Sequence, residues 1–440
     1  MMDVALQIRQ HLPRDPEPTS AIVDNYCGYY QDLFQDVRNY ECFKFLHLGL
    51  IAPIKRKSLP EIAKVVGITS AQSLHHFLAN SPWSVEQLRE RRLQKTKEAL
   101  KGKAITVIID ETGDRKKGNR TDYVARQYLG SLGKIDQGIV SVNAYGVYQD
   151  ITFPLKFKVF KPKGTLKPGD KYQTKIELAI ELIQELIDFG FNIDLVLADS
   201  LYGESSNFIN TLTHYQLSYV VAIRSNHSVL LPPGQRVRAN KWCQFTRTFS
   251  DNSSETRYIR EIVYGKRRKI TYWDLTTDPE TLPSNGTSFV MTNLQGKVKK
   301  KLGDLYGLRT WVEYGFRQCK QELGWKDYRF TKFSEIEKWW EIIYCVYLMV
   351  SLQTPGFSSF EQDEDSDDKT QPSTSNNSPQ HPNWRKGNSW KDALHNLRLV
   401  MEPWFLFWLV VPWLEMFNND HLLLGFQHLF SSVHQVKIGF

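Results

Sequence analysis

Two aspartates and one stretch of mixed charge are the residues of this chain best suited to chemistry. Ile105–Ile109 (ITVII) is a continuous apolar run, as a central strand covered on both faces requires, and it passes directly into Asp110, Glu111, Thr112 and Gly113. Residues 193–198 (IDLVLA) repeat the pattern and run into Asp199. Ligands of open α/β sheets gather beyond the carboxyl ends of strands, so an acid at such a strand end sits on a rim rather than in the core. One such aspartate is commonly a turn residue or a helix N-cap. Two of them, each followed by small polar residues or glycine, point toward a metal site. The third feature is Tyr306–Lys320 (YGLRTWVEYGFRQCK), in which Tyr306, Arg309, Glu313 and Lys320 stand at offsets 0, 3, 7 and 14. On one helix these share a narrow stripe, with a carboxylate between cations and a phenol. That arrangement suits a metal-binding acid flanked by groups that grip phosphate; its competing use is a solvated charged face, and Gly307 and Gly315 weaken a regular helix.

The elements that must position these groups are legible in outline. Residues 1–102 read as a helical DNA-binding domain. Within it, Ser58–Asn80 has a helix-turn-helix layout: Pro60 in a first turn, Ala63 at the crossing, Gly67 at the turn, and Thr69 or Ser70 as a cap. The second helix would carry Gln72, Ser73, His75 and His76 outward, although an ordinary helical hairpin has the same pattern. Residues 103–224 give strands at 105–109, 138–148 and 151–160, the last two joined near Gln149 and Asp150. A helix over 171–189 with Ile176, Ala179, Ile180, Ile183, Leu186 and Ile187 on one face follows, then the strand at 193–198, a short helix and a strand at 219–223. This is an α/β order with a mixed sheet. Residues 225–301 read as a β-rich insertion with basic clusters at 266–269 and 297–301. Helical sequence returns within 302–354, residues 355–390 read as a disordered linker, and 391–440 as a helical C-terminal segment.

Composition narrows the classes. The 440 residues exceed one ordinary core, and 41% hydrophobic content excludes wholesale disorder. Net charge is +8 although Glu361–Asp368 alone holds six acids, so the rest of the chain is distinctly basic and favours polyanions. Five widely spaced cysteines with no C-x-x-C pair fit a reducing cytoplasm and argue against both disulfides and a cysteine zinc site. The N-terminus lacks a signal-peptide layout, and the apolar run 404–417, interrupted by Pro412 and Glu415, is short of the ~20 residues a span needs. The chain thus reads as soluble, with no membrane partner. Nucleotide-binding glycine motifs and H-E-x-x-H are absent.

The spacing Tyr306-(2)-Arg309-(3)-Glu313-(6)-Lys320 resembles the Y-(2)-R-(3)-E-(6)-K signature of bacterial insertion-sequence transposases of the DDE superfamily, whose catalytic domain is RNase H-like. DETGDRKKG (110–118) and WVEYGFRQCK (311–320) are the sharpest parts of a resemblance spanning about residues 20–350. It implies an RNase H-like mixed-sheet core and a catalytic set of Asp110, Asp199 and Glu313. That set would hold two Mg²⁺ ions (Mn²⁺ may substitute), with Asp110 bridging them, to hydrolyse element ends and pass the freed 3′-OH to target DNA. Tyr306, Arg309 and Lys320, and by position Lys116 and Lys117, would contact DNA, with Gln72, Ser73 and His76 at its bases. Double-stranded DNA, as terminal inverted repeats and target, is the implied partner, and a homodimer on paired ends the implied assembly, in the cytoplasm. A non-catalytic DNA-binding regulator and a nuclease of the same fold are the competing expectations. Trp311 and Trp325 are candidates for stacking on an extruded base, with core packing the better fit.

Overall fold

A computed structural model of the chain describes residues 14–149, 151–229, 231, 233–234, 236–248, 254–264, 269–296, 299–354, 381–417 and 419–434. It divides into two compact units, one of residues 100–317 and one built from both ends of the chain, 1–99 and 318–440. The expected acidic octet at 361–368, most of the linker and parts of both basic clusters lie outside the described residues.

The unit of residues 100–317 is a mixed sheet. Its first strands are β1 (Ile105–Arg115), β2 (Ala125–Leu129), β3 (Lys134–Tyr148), β4 (Ile151–Val159), β5 (Ile193–Ala198) and β6 (Ser218–Ile223). β4, β3 and β1 pair antiparallel, whereas β1, β5 and β6 run parallel, which is the α/β RNase H-like arrangement expected. The parallel strands need a crossover, supplied by α6 (Lys175–Asp188) between β4 and β5. Thr174 and Glu177 form a reciprocal capping box at the start of α6. The buried stripe of α6 is Leu178, Ala179, Leu182, Ile183 and Leu186, rotated from the predicted one so that Ile176, Ile180 and Ile187 lie at its margins. Short helices α7 (Ser200–Gly203) and α8 (Ser206–His214) join β5 to β6. Strands β7 (Val237–Ala239), β8 (Cys243–Thr248), β9 (Ser254–Tyr264), β10 (Thr271–Thr276) and β11 (Ser288–Thr292) continue the same sheet through antiparallel pairing of β6 with β11.

Two expectations are corrected here. β1 does not stop at Ile109: it continues through Asp110 to Arg115, because its antiparallel pairing with β3 extends to Arg115–Gly138. The stretch 306–320 is not one regular helix either. α9 (Lys299–Gly307) ends in a 3₁₀ turn at Leu308–Thr310, and α10 (Trp311–Gln321) begins after it. The Arg247 guanidinium from β8 donates to the Gly307 carbonyl and to Thr310 Oγ1, fixing this break.

The other described unit is helical: α1 (Ala21–Gly28), α2 (Val37–Ile51), α3 (Leu59–Val66), α4 (Gln72–Ala79), α5 (Val85–Leu100, all but its last residue), α11 (Phe333–Ser351), α12 (Trp390–Phe417) and α13 (Asp420–His434). α2 and α11 are buried along most of their length. α3 and α4 form the expected helix pair, with Pro60 in the first turn and Gly67 at φ +78° making the turn. A Cβ on Gly67 would also stand 2.0 Å from the Trp408 ring, so glycine is required twice over. Trp325 stacks on Trp340 at 4.5 Å, and Trp311 is buried, so both candidate base-stacking tryptophans are core residues. The first half of α12 (Trp390, Ala393, Leu394, Leu397, Met401, Phe405) is buried. Among the described residues, α12 is the one helix long and apolar enough to cross a membrane by length and composition.

Candidate active site

The parallel pairing of β1 with β5 ends at Ile109–Ala198, and the next residue on each strand is an aspartate. Beyond that point β5 turns into α7, with Asp199 as its N-cap and Asp199 Oδ1 accepting from the Leu201 N–H at 2.9 Å. β1 instead continues beside β3 and leaves its β5-facing edge open. Asp110 therefore reaches the rim by the loss of one neighbour rather than by ending its strand. Its Oδ1 accepts from the Glu111 N–H at 2.8 Å, and its side chain is 14% exposed. Burial pushes the Asp110 carboxyl up to about 7; Arg309 opposes that rise, and Asp199 adds to it.

Arg309 lies between the acids. Its guanidinium stands 3.4 Å from Asp110 Oδ2 and 3.8 Å from Glu313 Oε1, and 5.9 Å from the Tyr306 ring centroid. Burial disfavours its charge, but Tyr306, Asp110, Glu313 and Asp199 together hold its pKa above the ordinary arginine value. Glu313, one turn further along α10, is about half exposed. α10 lies close against β3 because residue 315 is glycine: a Cβ there would come within 2.5 Å of the Tyr145 ring. Arg309 is thus brought to Asp110 despite the break in the helix, with Glu313 and the Tyr306 ring beside it. Lys320 is half-buried two turns beyond Glu313 on the same helix.

The remaining candidates fall elsewhere. Glu111, adjacent to Asp110, points away, with its carboxylate 2.7 Å from Lys175 Nζ and 3.4 Å from the Tyr202 hydroxyl. Lys116 is bound 2.7 Å from Asp114, a buried carboxylate, whereas Lys117 is exposed. Gln72, Ser73 and His76 are exposed on α4 in the helical unit, as expected of an outward face. Of the flanking polar groups, Ser73 Oγ donates to the Ser70 carbonyl, and Ser70 Oγ accepts from the Gln72 N–H. His75 is exposed as well, as expected, and its ring lies 5.5 Å from that of Phe330. Sequence reasoning missed Arg247, which carries no local signal: it lies sixty residues before the turn that it shapes.

Among the described residues no three His, Cys, Asp or Glu side chains converge closely enough to hold one ion. The donor chemistry nevertheless fits a divalent cation. Asp110 and Asp199 carry hard carboxylate oxygens at adjacent strand ends, and Glu313 is linked to Asp110 through Arg309.

Residues 30–244 match the DDE superfamily endonuclease family, and residues 166–349 match the transposase DDE domain family. The chain is also 55% identical over 326 residues to a "Probable transposase for insertion sequence element IS701" from Microchaete diplosiphon, across 74% of this chain and 86% of that protein.

Proposed function

The chain belongs to the insertion-sequence transposases of the DDE superfamily and is an enzyme of DNA transposition, and from that premise we propose that Asp110, Asp199 and Glu313 are its catalytic carboxylates. The proposed reaction is hydrolysis of a phosphodiester at each terminal inverted repeat, followed by strand transfer. In the first step the water oxygen bonds to phosphorus and the 3′-oxygen departs, taking up a proton. In the second step that 3′-OH oxygen loses its proton and bonds to a target phosphorus while the target's own 3′-oxygen departs and takes up a proton, so one ester replaces another with no energy-rich cofactor consumed. Asp110, Asp199 and Glu313 would hold two Mg²⁺ ions, or Mn²⁺ in their place, which when bound activate an attacking oxygen and stabilise a leaving one.

The protein's own groups do the rest in this reading. Arg309, propped by the Tyr306 ring and set by Arg247 through the 308–310 turn, offers the fork that suits a phosphate, and Lys320 adds a second cation along the same helix. Lys117, and Lys116 to the extent that Asp114 releases it, extend phosphate contact beyond β1. Gln72, Ser73 and His76 read the element end from α4. Two copies act on two paired ends, as a homodimer on DNA, in the cytoplasm where bacterial DNA lies.

The observation that most supports the reading is the placement of Asp110 and Asp199 just past the last parallel register pair, with Arg309 beside both Asp110 and Glu313. The test is a linear duplex carrying the element ends, incubated with the protein and its Asp199→Ala variant, in Mg²⁺ and in EDTA. We expect end cleavage that needs both the metal and Asp199. Cleavage by a triple Asp110→Ala, Asp199→Ala, Glu313→Ala variant at the unaltered rate would sink the assignment.

A further inference from the structure

β2 and the first residues of β3 form a ribbon that curls back on the far end of β1, where the fully buried Leu129 packs against Gly113 and Gly138. β2 pairs antiparallel with the first five residues of β3, Ala125–Gly138 to Leu129–Lys134, and a 3₁₀ turn at Gly130–Leu132 closes the tip. The base of the ribbon is anchored. Asp122 pairs with Lys167, and the Tyr123 hydroxyl donates to Asp170, which also binds Lys161 at 2.5 Å. The tip presents Tyr128 (55% exposed) directly across from Ile135 (59% exposed), so the two side chains share one face of the ladder. Arg126, two residues from Tyr128, extends the same face.

Charge on this segment is one-sided. Residues 115–137 hold six Lys and Arg against two Asp. Both of these acids, with Asp114 just before them, are taken up near the base: Asp114 by Lys116, Asp122 by Lys167 and Asp136 by Arg115. Lys117, Arg120, Arg126 and Lys134 are exposed and have no ion-pair partner among the described residues. An exposed apolar pair ringed by uncompensated cations is a poor water-facing surface and a good duplex-facing one: cations meet phosphates, and an aromatic with a branched aliphatic fits a groove. A second copy of this face would meet like charge with like.

We propose that the β2–β3 ribbon grips the same DNA duplex whose phosphodiester is cut, close to that bond. Leu129, next to Tyr128, packs on Gly113, and Gly113 lies three residues past Asp110 on β1, about 10 Å along the strand. The proposal rests on the catalytic reading of Asp110 for its point of measurement, but the contact itself does not depend on cleavage.

The test places photoreactive benzoylphenylalanine at Tyr128, or at Leu282 in the exposed β10–β11 loop as a control, in the full chain. The probe is an end-labelled duplex spanning the junction of element and flank, in EDTA. We expect cross-links from position 128 and none from 282, within about one helical turn of the duplex from the cut bond. Absence of a cross-link at 128, a cross-link to a second polypeptide instead, or one that forms only when a separate target duplex is added would overturn the proposal. In a second arm, Arg126→Gln with Lys134→Gln should weaken binding of that duplex roughly tenfold and reduce the salt slope by about two. An unchanged affinity and slope in a variant with wild-type melting behaviour would also overturn it. Should the wild-type protein cross-link at 128 yet never cut in Mg²⁺, the catalytic reading fails while the ribbon contact stands.

Discussion

Asp110 is held by its surroundings in the form that chemistry does not want. Its carboxyl is pushed up to about 7, by burial first and by Asp199 as well, so the metal-free fold prefers it protonated. The unfolded chain ionises it near 4, and the sign follows. Below that pH the group costs nothing. As pH rises toward 7 the unfolded state gains from ionisation before the folded state does, and stability is lost by up to a few kcal/mol on the order given by linkage. The expected outcome is that Asp110→Asn flattens the decline in melting temperature of the metal-free protein between pH 5 and about 7.5. Thermal melts of both proteins in EDTA across that range check it; parallel curves would mean that the carboxyl is already ionised. On the proposed reading, cations that favour the ionised form would remove that penalty and leave the oxygens available to bind them.

At the scale of elements, the site depends on a turn that its own helix does not encode. Arg247 on β8 is buried, donates to Gly307 O and Thr310 Oγ1, and so sets where Arg309 points. Arg247→Ala should lower the cleavage rate by roughly one to two orders of magnitude, with duplex affinity within a few-fold of wild type, as expected when positioning is lost and the binding groups remain. Rates and affinities measured side by side decide this; a loss confined to affinity would make Arg247 a DNA contact instead. This dependence also explains what could be read from sequence. β5, β6, the existence of α6, and the turn at Gly67 follow from apolar runs, 3.6-residue periodicity and local caps, all signals contained within a few residues. The far end of β1 was hidden because Thr112–Arg115 carries polar residues and owes its extension to β3, more than twenty residues on. The 3₁₀ break was hidden because Arg247 is distant in sequence. Tyr306, Arg309 and Glu313 could be picked out by their spacing, which survives the break; Arg309 lying between Asp110 and Glu313 could not, because it requires the sheet and the helix together.

Over the whole molecule, the two units differ in how the chain makes them. The sheet unit is one continuous segment, residues 100–317, whereas the helical unit needs both ends of the chain. Its joint is ionic and buried. Glu341 on α11 accepts from Arg92 at 2.6 Å and from Arg89 at 3.0 Å, both on α5 some 250 residues earlier, and Arg89 also reaches Glu337 at 2.8 Å. Glu341 and Arg92 are fully buried, so neither can recover water when its partner is removed. Glu341→Ala therefore strands buried arginine charge and should destabilise the helical unit by about 3–5 kcal/mol. The Tyr344 ring, 5.3 Å from the Arg92 guanidinium, carries no charge to replace that carboxylate. Because residues 100–317 form a compact unit of their own, that unit's transition should stay where it is, and the denaturation profile of the variant should separate into two steps, the earlier one helical. Urea melts followed by far-UV circular dichroism, with limited proteolysis to identify the segment released first, make the comparison. A single transition shifted as a whole would show that the two units unfold as one cooperative body and that the α5–α11 joint stabilises both.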